Sequence, residues 1–168
     1  KIINDEFLLK EDFSSTKINQ AFSNPKTISE ISDKYYSHIK NYNITEMNIT
    51  DKAPLNFLWI GFIKVFFPNS KIIHCKRNSK DNCVSLYKNI FDGNLNFCYS
   101  QDELAKYYNL YSDLIKFWKE YFPDCLLDIE YEKLVTDTKK ETKKMLDFCE
   151  LNWEENCLNF SNNKTPIK

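Results

Sequence analysis

Apolar residues recur at intervals of three and four along most of the chain, and polar residues fill the positions between them. This spacing predicts helices that bury one face. We expect helices to begin near Thr27, after Pro54, after Ser79, after Ser100 and after Thr138. In the helix after Ser79, the residues expected to face the core are Val84, Tyr87, Ile90 and Phe91.

Three short apolar runs between these helices predict β-strands: residues 47–50, the run that begins at Ile72, and residues 125–130. Strands that alternate with helices favour a parallel sheet with right-handed crossovers, which is a three-layer α/β fold with helices on both faces. Ligands bind such sheets beyond the carboxyl ends of the strands. Polar residues follow each predicted strand there, namely Lys52, Arg77 and Tyr131.

Hydroxyl residues mark the predicted helix starts, because their side-chain oxygens accept hydrogen bonds from the first backbone N–H groups. Ser79 is the predicted N-cap of the helix that follows Arg77. Ser100 with Glu103 forms a capping-box pattern, and Thr138 with Glu141 forms another.

Composition narrows the class of protein. A chain of 168 residues suits one domain, and a net charge of −1 gives no general attraction to nucleic acid or to an anionic membrane. No apolar run approaches the roughly 20 residues that span a bilayer. Six cysteines without a C-x-x-C pair, and two distant histidines, argue against a metal site or a disulfide framework. They favour buried free thiols in a reducing compartment, so we predict a cytoplasmic protein.

Candidate chemistry concentrates in residues 71–85, which the pattern predicts to be a strand, a tight polar turn and the start of a helix. The N-terminus of a helix attracts anions through its backbone N–H groups and its dipole. Arg77 adds a planar, permanently charged group that matches the paired oxygens of a phosphate, and Ser85 lies eight residues later. This segment therefore predicts a site for a phosphorylated ligand.

The same segment resembles the 3′-phosphate-binding segment of sulfotransferases that use 3′-phosphoadenosine 5′-phosphosulfate (PAPS). Four other stretches continue the resemblance in the right order: 50–57 is similar to the "DK-P-N" segment, 67–71 to the turn before the phosphate strand, 131–135 to "YE-LV", and 148–153 to "F-G-L-W". The similarity covers roughly residues 45–160. It is greatest to tyrosylprotein-type and bacterial repeat-associated members, and it implies a P-loop-containing nucleotide hydrolase-like fold.

The resemblance also implies roles for four residues. Arg77 and Ser85 would bind the 3′-phosphate, and Tyr131 would lie against the adenine or the nearby phosphate. Lys52 would be the catalytic cation that stabilises the sulfuryl group in transfer. Considered singly, Tyr131 also fits a core tyrosine, and Lys52 fits a surface lysine paired with Asp51.

The chain departs from the family in one respect: it contains no Gly/Ser/Thr-rich loop of the kind that holds the 5′-phosphosulfate. The catalytic base is likewise not placed. We therefore expect residues 1–168 to be a single sulfotransferase domain that is incomplete at both ends and that carries the 3′-phosphate half. Alternatives are a non-catalytic nucleotide-binding or interaction module on the same fold, and a P-loop kinase relative. The acceptor, whether protein tyrosine, glycan or small molecule, and the oligomeric state are not specified by the sequence.

Overall fold

The computed structural model describes residues 23–42, 46–91 and 95–159. The chain divides into two compact units, one up to Ser70 and the other from Lys71 onward. The expectation of a single domain stays a prediction. No described residue belongs to a helix that is both long enough and apolar enough to cross a membrane.

The first unit contains helix α1 (Pro25–Lys40), a 3₁₀ turn (Asn56–Trp59) and helix α2 (Ile60–Phe66). Helix α1 begins two residues before the predicted start at Thr27, because Asn24 caps it and accepts a hydrogen bond from the Lys26 N–H at 3.0 Å. Ser32 donates a hydrogen bond to the Phe66 carbonyl at 2.9 Å, which joins α1 to the end of α2.

The predicted strand at residues 47–50 is absent, since the described residues 46–53 form neither strand nor helix. Met47 is 97% exposed and Ile49 is 42% exposed. Four residues with two apolar side chains are a weak strand signal, because a strand is stable only when a neighbouring strand pairs with it. Lys52 is therefore not at the end of a strand, contrary to the expectation.

The second unit alternates strands and helices. It contains β1 (Ile72–Lys76), α3 (Ser79–Lys88), α4 (Gln101–Tyr121), β2 (Leu126–Glu130), α5 (Tyr131–Thr136) and α6 (Thr138–Phe148), with 3₁₀ turns at Asn96–Tyr99 and Glu155–Leu158. Strands β1 and β2 are parallel, and their register runs from Ile72 opposite Leu126 to Lys76 opposite Glu130. This confirms the mixed α/β class with a small parallel sheet. The expected three-layer sheet is not seen in the part of the chain that the structure describes, where the sheet has two strands.

The core of the second unit is formed by side chains from β2, α4 and the 3₁₀ turn before α4. The most buried of these are Cys98, Ile129, Leu104, Ile115 and Leu126. Helix α3 has no buried residue, and the predicted core positions Val84, Tyr87 and Ile90 are 50%, 46% and 91% exposed. The prediction for those three residues was wrong. Helical spacing shows that Val84 and Tyr87 share a face, but it does not show that another element covers that face. Ile90 is outside the helix altogether, because α3 ends at Lys88.

The helix starts confirm one predicted cap and correct two. Ser100 caps α4 and accepts a hydrogen bond from the Glu103 N–H at 3.4 Å. The caps of α3 and α6 lie one residue before the predicted Ser79 and Thr138, at Asn78 and Asp137. Asn and Asp are at least as effective as Ser and Thr at this position, so two adjacent capping residues left the sequence prediction ambiguous by one residue.

A half-buried polar network joins β1, β2 and α4. His74 lies opposite Asp128 in the register and its Nδ1 is 2.8 Å from the Asp128 carboxylate, while its Nε2 is hydrogen-bonded to the Tyr111 hydroxyl. Lys119 donates to the other Asp128 oxygen at 2.5 Å. The Asp128 carboxylate accepts a hydrogen bond from Nδ1–H. Because burial lowers the pKa of His74, the neutral imidazole is favoured, and in that form Nε2 accepts from the Tyr111 hydroxyl.

The pKa values in this network follow from burial and from these hydrogen bonds. Burial would raise the pKa of Asp128, but the hydrogen bonds from Lys119 and His74 outweigh it and lower that pKa to about 2. Burial lowers the pKa of His74 in spite of the neighbouring Asp128, and burial raises the pKa of Tyr111 to about 12. His74 thus satisfies its hydrogen bonds within the fold.

We predict that, because of Asp128, the free energy of unfolding falls as the pH is lowered in the acid range. The Asp128 carboxyl group titrates near about 3.9 when unfolded and near 2 when folded, so the stabilisation is present above pH 4 and is lost between about pH 4 and pH 2. Over that range the wild-type free energy of unfolding should fall by about 2 kcal/mol more than that of Asp128→Asn. Denaturant titrations at several pH values measure this difference.

The matched control is Asp113→Asn, because Asp113 pairs with Lys116 on the exposed surface of α4 and that pair is worth little. Its pH dependence should follow the wild type. Equal pH slopes for wild type and Asp128→Asn would contradict the assignment.

We also predict that two identical substitutions in the second unit have opposite consequences. Ile129 is 1% exposed and Ile90 is 91% exposed. Ile129→Ala removes buried apolar atoms and leaves a cavity, and it should lower the free energy of unfolding by about 2 to 5 kcal/mol. Ile90→Ala should change it by less than about 0.5 kcal/mol. Chemical denaturation measures both, and a large loss for Ile90→Ala would mean that Ile90, two residues beyond the end of α3, is covered.

Candidate functional site

Arg77 and Tyr131 lie together at the carboxyl ends of the two paired strands. Each is the first residue after its strand, since Lys76 and Glu130 are the last residues of β1 and β2 and lie opposite each other. The Arg77 guanidinium lies over the Tyr131 ring, with its central carbon 5.3 Å from the ring centroid. The structure therefore brings together two of the four residues selected from the sequence.

This contact leaves the guanidinium able to bind a further group. Arg77 and Tyr131 are both exposed, and in the part of the chain that the structure describes no carboxylate forms an ion pair with Arg77. A guanidinium stacked on an aromatic ring uses its face, while its N–H groups point outward in its plane. Those N–H groups have the geometry that binds the oxygens of a phosphate.

Arg77 is the single arginine of the sequence, beside 22 lysines. Lysine thus supplies every other permanent positive side-chain charge of the chain. Arginine differs from lysine in its planar, bidentate geometry and in its ability to stack on aromatic rings. One arginine among 22 lysines therefore identifies Arg77, from the sequence alone, as a candidate for specific anion binding.

The turn between β1 and α3 is occupied by groups of the protein itself. Asn78 accepts hydrogen bonds through its side-chain oxygen from the N–H groups of Lys80 (3.0 Å) and Asp81 (3.4 Å). Its own N–H donates to the Glu132 carboxylate at 2.8 Å. Three of the N–H groups that the sequence offered for an anion are therefore already bonded. Any anion at this turn would depend on the Arg77 side chain more than on these amides.

Glu132 is ionised at neutral pH by a wide margin. The N–H groups of Asn78 and of Glu132 itself, and then the charge of Arg77, lower the pKa of this exposed carboxyl below its ordinary value. The site therefore contains an arginine, a tyrosine ring and a carboxylate, all from the residues that directly follow the two strands.

Ser85 lies within α3, seven residues after the cap Asn78, and is half-buried. At 1.5 Å per residue, this is about 10 Å along the helix axis. Its carbonyl accepts a hydrogen bond from the Asn89 side chain at 2.6 Å. The part of Ser85 in a phosphate site stays a prediction.

Lys52 lies in the first unit and is exposed. Its neighbour Asp51 accepts a hydrogen bond from the Tyr35 hydroxyl at 2.8 Å. Burial, and then this hydrogen bond, raise the pKa of Tyr35 to about 12. The Asp51 carboxylate is thus engaged by α1, which agrees with a structural role for Asp51. The catalytic role of Lys52 stays a prediction.

Sequence reasoning missed Glu132 and Asn78. Glu132 belongs to the "YE-LV" stretch, and its hydrogen bond to Asn78 joins residues 54 positions apart. No local pattern reveals such a partner. Asn78 was passed over for Ser79, although asparagine is among the most favoured N-cap residues.

The described ranges contain no group of three or more His, Cys, Asp or Glu residues suited to a metal ion. The six cysteines are free thiols, but the prediction that they are buried is wrong for five of them. Cys98 alone among them is fully buried, and Cys75 is exposed.

Comparison with known proteins assigns the class. The model of the sulfotransferase family matches residues 7–155, so the chain belongs to the sulfotransferase family. An "uncharacterized protein" of Aquifex aeolicus is 31% identical over 137 residues, which is 80% of this chain and 18% of that protein. A Pep5-like zinc finger protein of Schizosaccharomyces pombe is 26% identical over 149 residues, 84% of this chain and 16% of its own length. The chain thus spans less than a fifth of either relative.

We predict that Asn78, and not Ser79, determines the stability of the start of α3. Asn78→Ala removes the acceptor for the Lys80 and Asp81 amides and should cost about 1 kcal/mol. Amide hydrogen exchange at those two residues should become faster. Ser79→Ala is the matched control and should stay within about 0.5 kcal/mol of wild type. A larger effect from Ser79→Ala would place the cap one residue later.

Proposed function

We propose that this chain binds the 3′-phosphoadenosine part of PAPS, and that the whole protein transfers the sulfuryl group to a hydroxyl or amine acceptor. The single observation that carries the proposal is the Arg77 guanidinium stacked on Tyr131 where β1 and β2 end together. Family membership supports the reaction class. Turnover is assigned to the whole protein, since the chain spans less than a fifth of its relatives.

The ligand chemistry follows from the groups present. In this proposal the outward N–H groups of Arg77 bind two oxygens of the 3′-phosphate, which is the group that distinguishes PAPS from other adenine nucleotides. Ser85 contributes a hydroxyl to the same phosphate. The Tyr131 ring, half exposed at 49%, offers a flat surface for the adenine or for the region next to the phosphate.

The proposed reaction breaks the bond between sulfur and the phosphate oxygen of PAPS and forms a bond between sulfur and the acceptor oxygen or nitrogen. Adenosine 3′,5′-bisphosphate leaves, and the acceptor loses a proton. Negative charge spreads over the transferring group, so catalysis relies on positioning and on fixed positive charge. We propose Lys52 as that charge. The acceptor and the base that takes its proton are not assigned.

The sheet formed by β1 and β2 is narrow for a parallel sheet. A two-stranded parallel sheet has two free edges, and parallel strands are normally covered on both faces. We propose that β1 and β2 are part of a wider three-layer sheet of the P-loop-like sulfotransferase type in the whole protein. The family match supports this extension.

The test of nucleotide binding is calorimetric titration of the 168-residue chain with adenosine 3′,5′-bisphosphate and with 5′-AMP. We expect tighter binding of the bisphosphate, because only it presents a 3′-phosphate to Arg77. Arg77→Ala should weaken bisphosphate binding about tenfold to a hundredfold, as expected for loss of charged hydrogen bonds, and should leave 5′-AMP binding nearly unchanged.

Two further variants separate geometry from charge. Arg77→Lys keeps the charge and loses the planar group, so we expect it to weaken bisphosphate binding less than Arg77→Ala does. Lys88→Ala removes an exposed charge from the end of α3 and should match the wild type. Equal affinities for the two nucleotides, or equal losses from Arg77→Ala and Lys88→Ala, would contradict a specific 3′-phosphate site.

A further inference from the structure

Two contacts, side by side, connect the exit of β2 to the exit of β1. The Tyr131 ring contacts the Arg77 guanidinium, and the Glu132 carboxylate accepts a hydrogen bond from the Asn78 N–H at 2.8 Å. The first residue after β2 thus contacts the first residue after β1, and the second residue after β2 contacts the second residue after β1. The second contact is to the backbone, so it acts on the path of the chain and not only on one side chain.

We propose that Glu132 is a positioning residue that fixes the backbone directly after Arg77 and thereby aims the guanidinium at its phosphate. This inference rests on the proposed nucleotide function. It assigns Glu132 no contact with the nucleotide, because a carboxylate repels a phosphate.

The geometry of Asn78 explains why one hydrogen bond has this effect. Two residues, Arg77 and Asn78, connect β1 to α3. The Asn78 side chain is held by the N–H groups of Lys80 and Asp81, and its backbone N–H is held by Glu132. Hydrogen bonds therefore hold the Asn78 side chain to the start of α3 and its backbone N–H to Glu132, which follows β2. With Asn78 fixed on both sides, the Arg77 side chain starts from a defined direction.

The negative charge of Glu132 weakens phosphate binding, and the hydrogen bond to Asn78 must outweigh this effect. A negative group near Arg77 competes with a bound phosphate for the same positive charge. A neutral amide at this position would keep an oxygen acceptor for the Asn78 N–H and remove the competing charge. Glu132→Gln therefore separates the two effects, whereas Glu132→Ala removes both.

The first measurement needs no nucleotide. In the wild type, the backbone amide resonance of Asn78 should shift with pH as Glu132 titrates, with a midpoint below the ordinary glutamate value of 4.5. Glu132→Gln should abolish this titration and keep the amide protected from hydrogen exchange. Glu132→Ala should speed exchange at Asn78. An Asn78 amide that neither titrates nor loses protection in Glu132→Ala would overturn the inference.

The second measurement is calorimetric binding of adenosine 3′,5′-bisphosphate and 5′-AMP to the same variants. Loss of one net hydrogen bond predicts that Glu132→Ala weakens bisphosphate binding about three- to tenfold, with little change for 5′-AMP. Glu132→Gln should restore bisphosphate affinity to the wild-type level or better. Glu120→Ala, an exposed acid on α4, is the control and should match the wild type.

The outcomes distinguish this inference from the function beneath it. If the wild type prefers the bisphosphate but Glu132→Ala keeps that preference, the positioning role is wrong and the proposed function stands. If Glu132→Gln is as weak as Glu132→Ala, charge and not the hydrogen bond is responsible, which also overturns the role. If the wild type shows no preference for the bisphosphate, the proposed function fails and the positioning role fails with it.

Discussion

The in-register pairing of β1 with β2 is the constraint on which the candidate site depends. Because Lys76 lies opposite Glu130, the next residues, Arg77 and Tyr131, leave the sheet side by side. A slip of one residue would move one strand by about 3.3 Å and turn its side chains to the opposite face. Arg77 would then lose its contact with the Tyr131 ring, and the Asn78 N–H would lose its hydrogen bond to Glu132.

The same pairing contains a polar contact that specifies this register. His74 and Asp128 are direct partners in the ladder and are hydrogen-bonded through their side chains, with Lys119 on the second Asp128 oxygen. The buried apolar side chains already disfavour a one-residue slip, because it would turn them to the opposite face, and the half-buried hydrogen-bonded pair adds a contact that is satisfied in only one register. Stability and site geometry therefore depend on the same two strands, and the network that favours folding also aligns the residues of the site.

The chemistry at the strand ends belongs mainly to side chains. The helix start beyond β1 offers less to an anion than its sequence suggests, since the amides of Asn78, Lys80 and Asp81 are bonded within the protein. These internal bonds make the turn rigid, and a rigid turn presents a guanidinium at lower entropic cost than a flexible one. In the proposed function, this guanidinium is the group that binds the 3′-phosphate.

The sequence by itself determined the local features: the helices other than α5, the strands β1 and β2, the start of α4 at Ser100, and the placement of Arg77 and Tyr131 at the strand ends. These depend on side-chain spacing and on capping, which act over a few residues. Tertiary structure decided what depends on distant partners. Within the described ranges, residues 47–50 have no paired strand and Ile90 is 91% exposed, while Glu132 meets Asn78 across 54 residues. Periodicity shows which residues share a face, but only packing decides whether that face is covered and which backbone group a side chain meets.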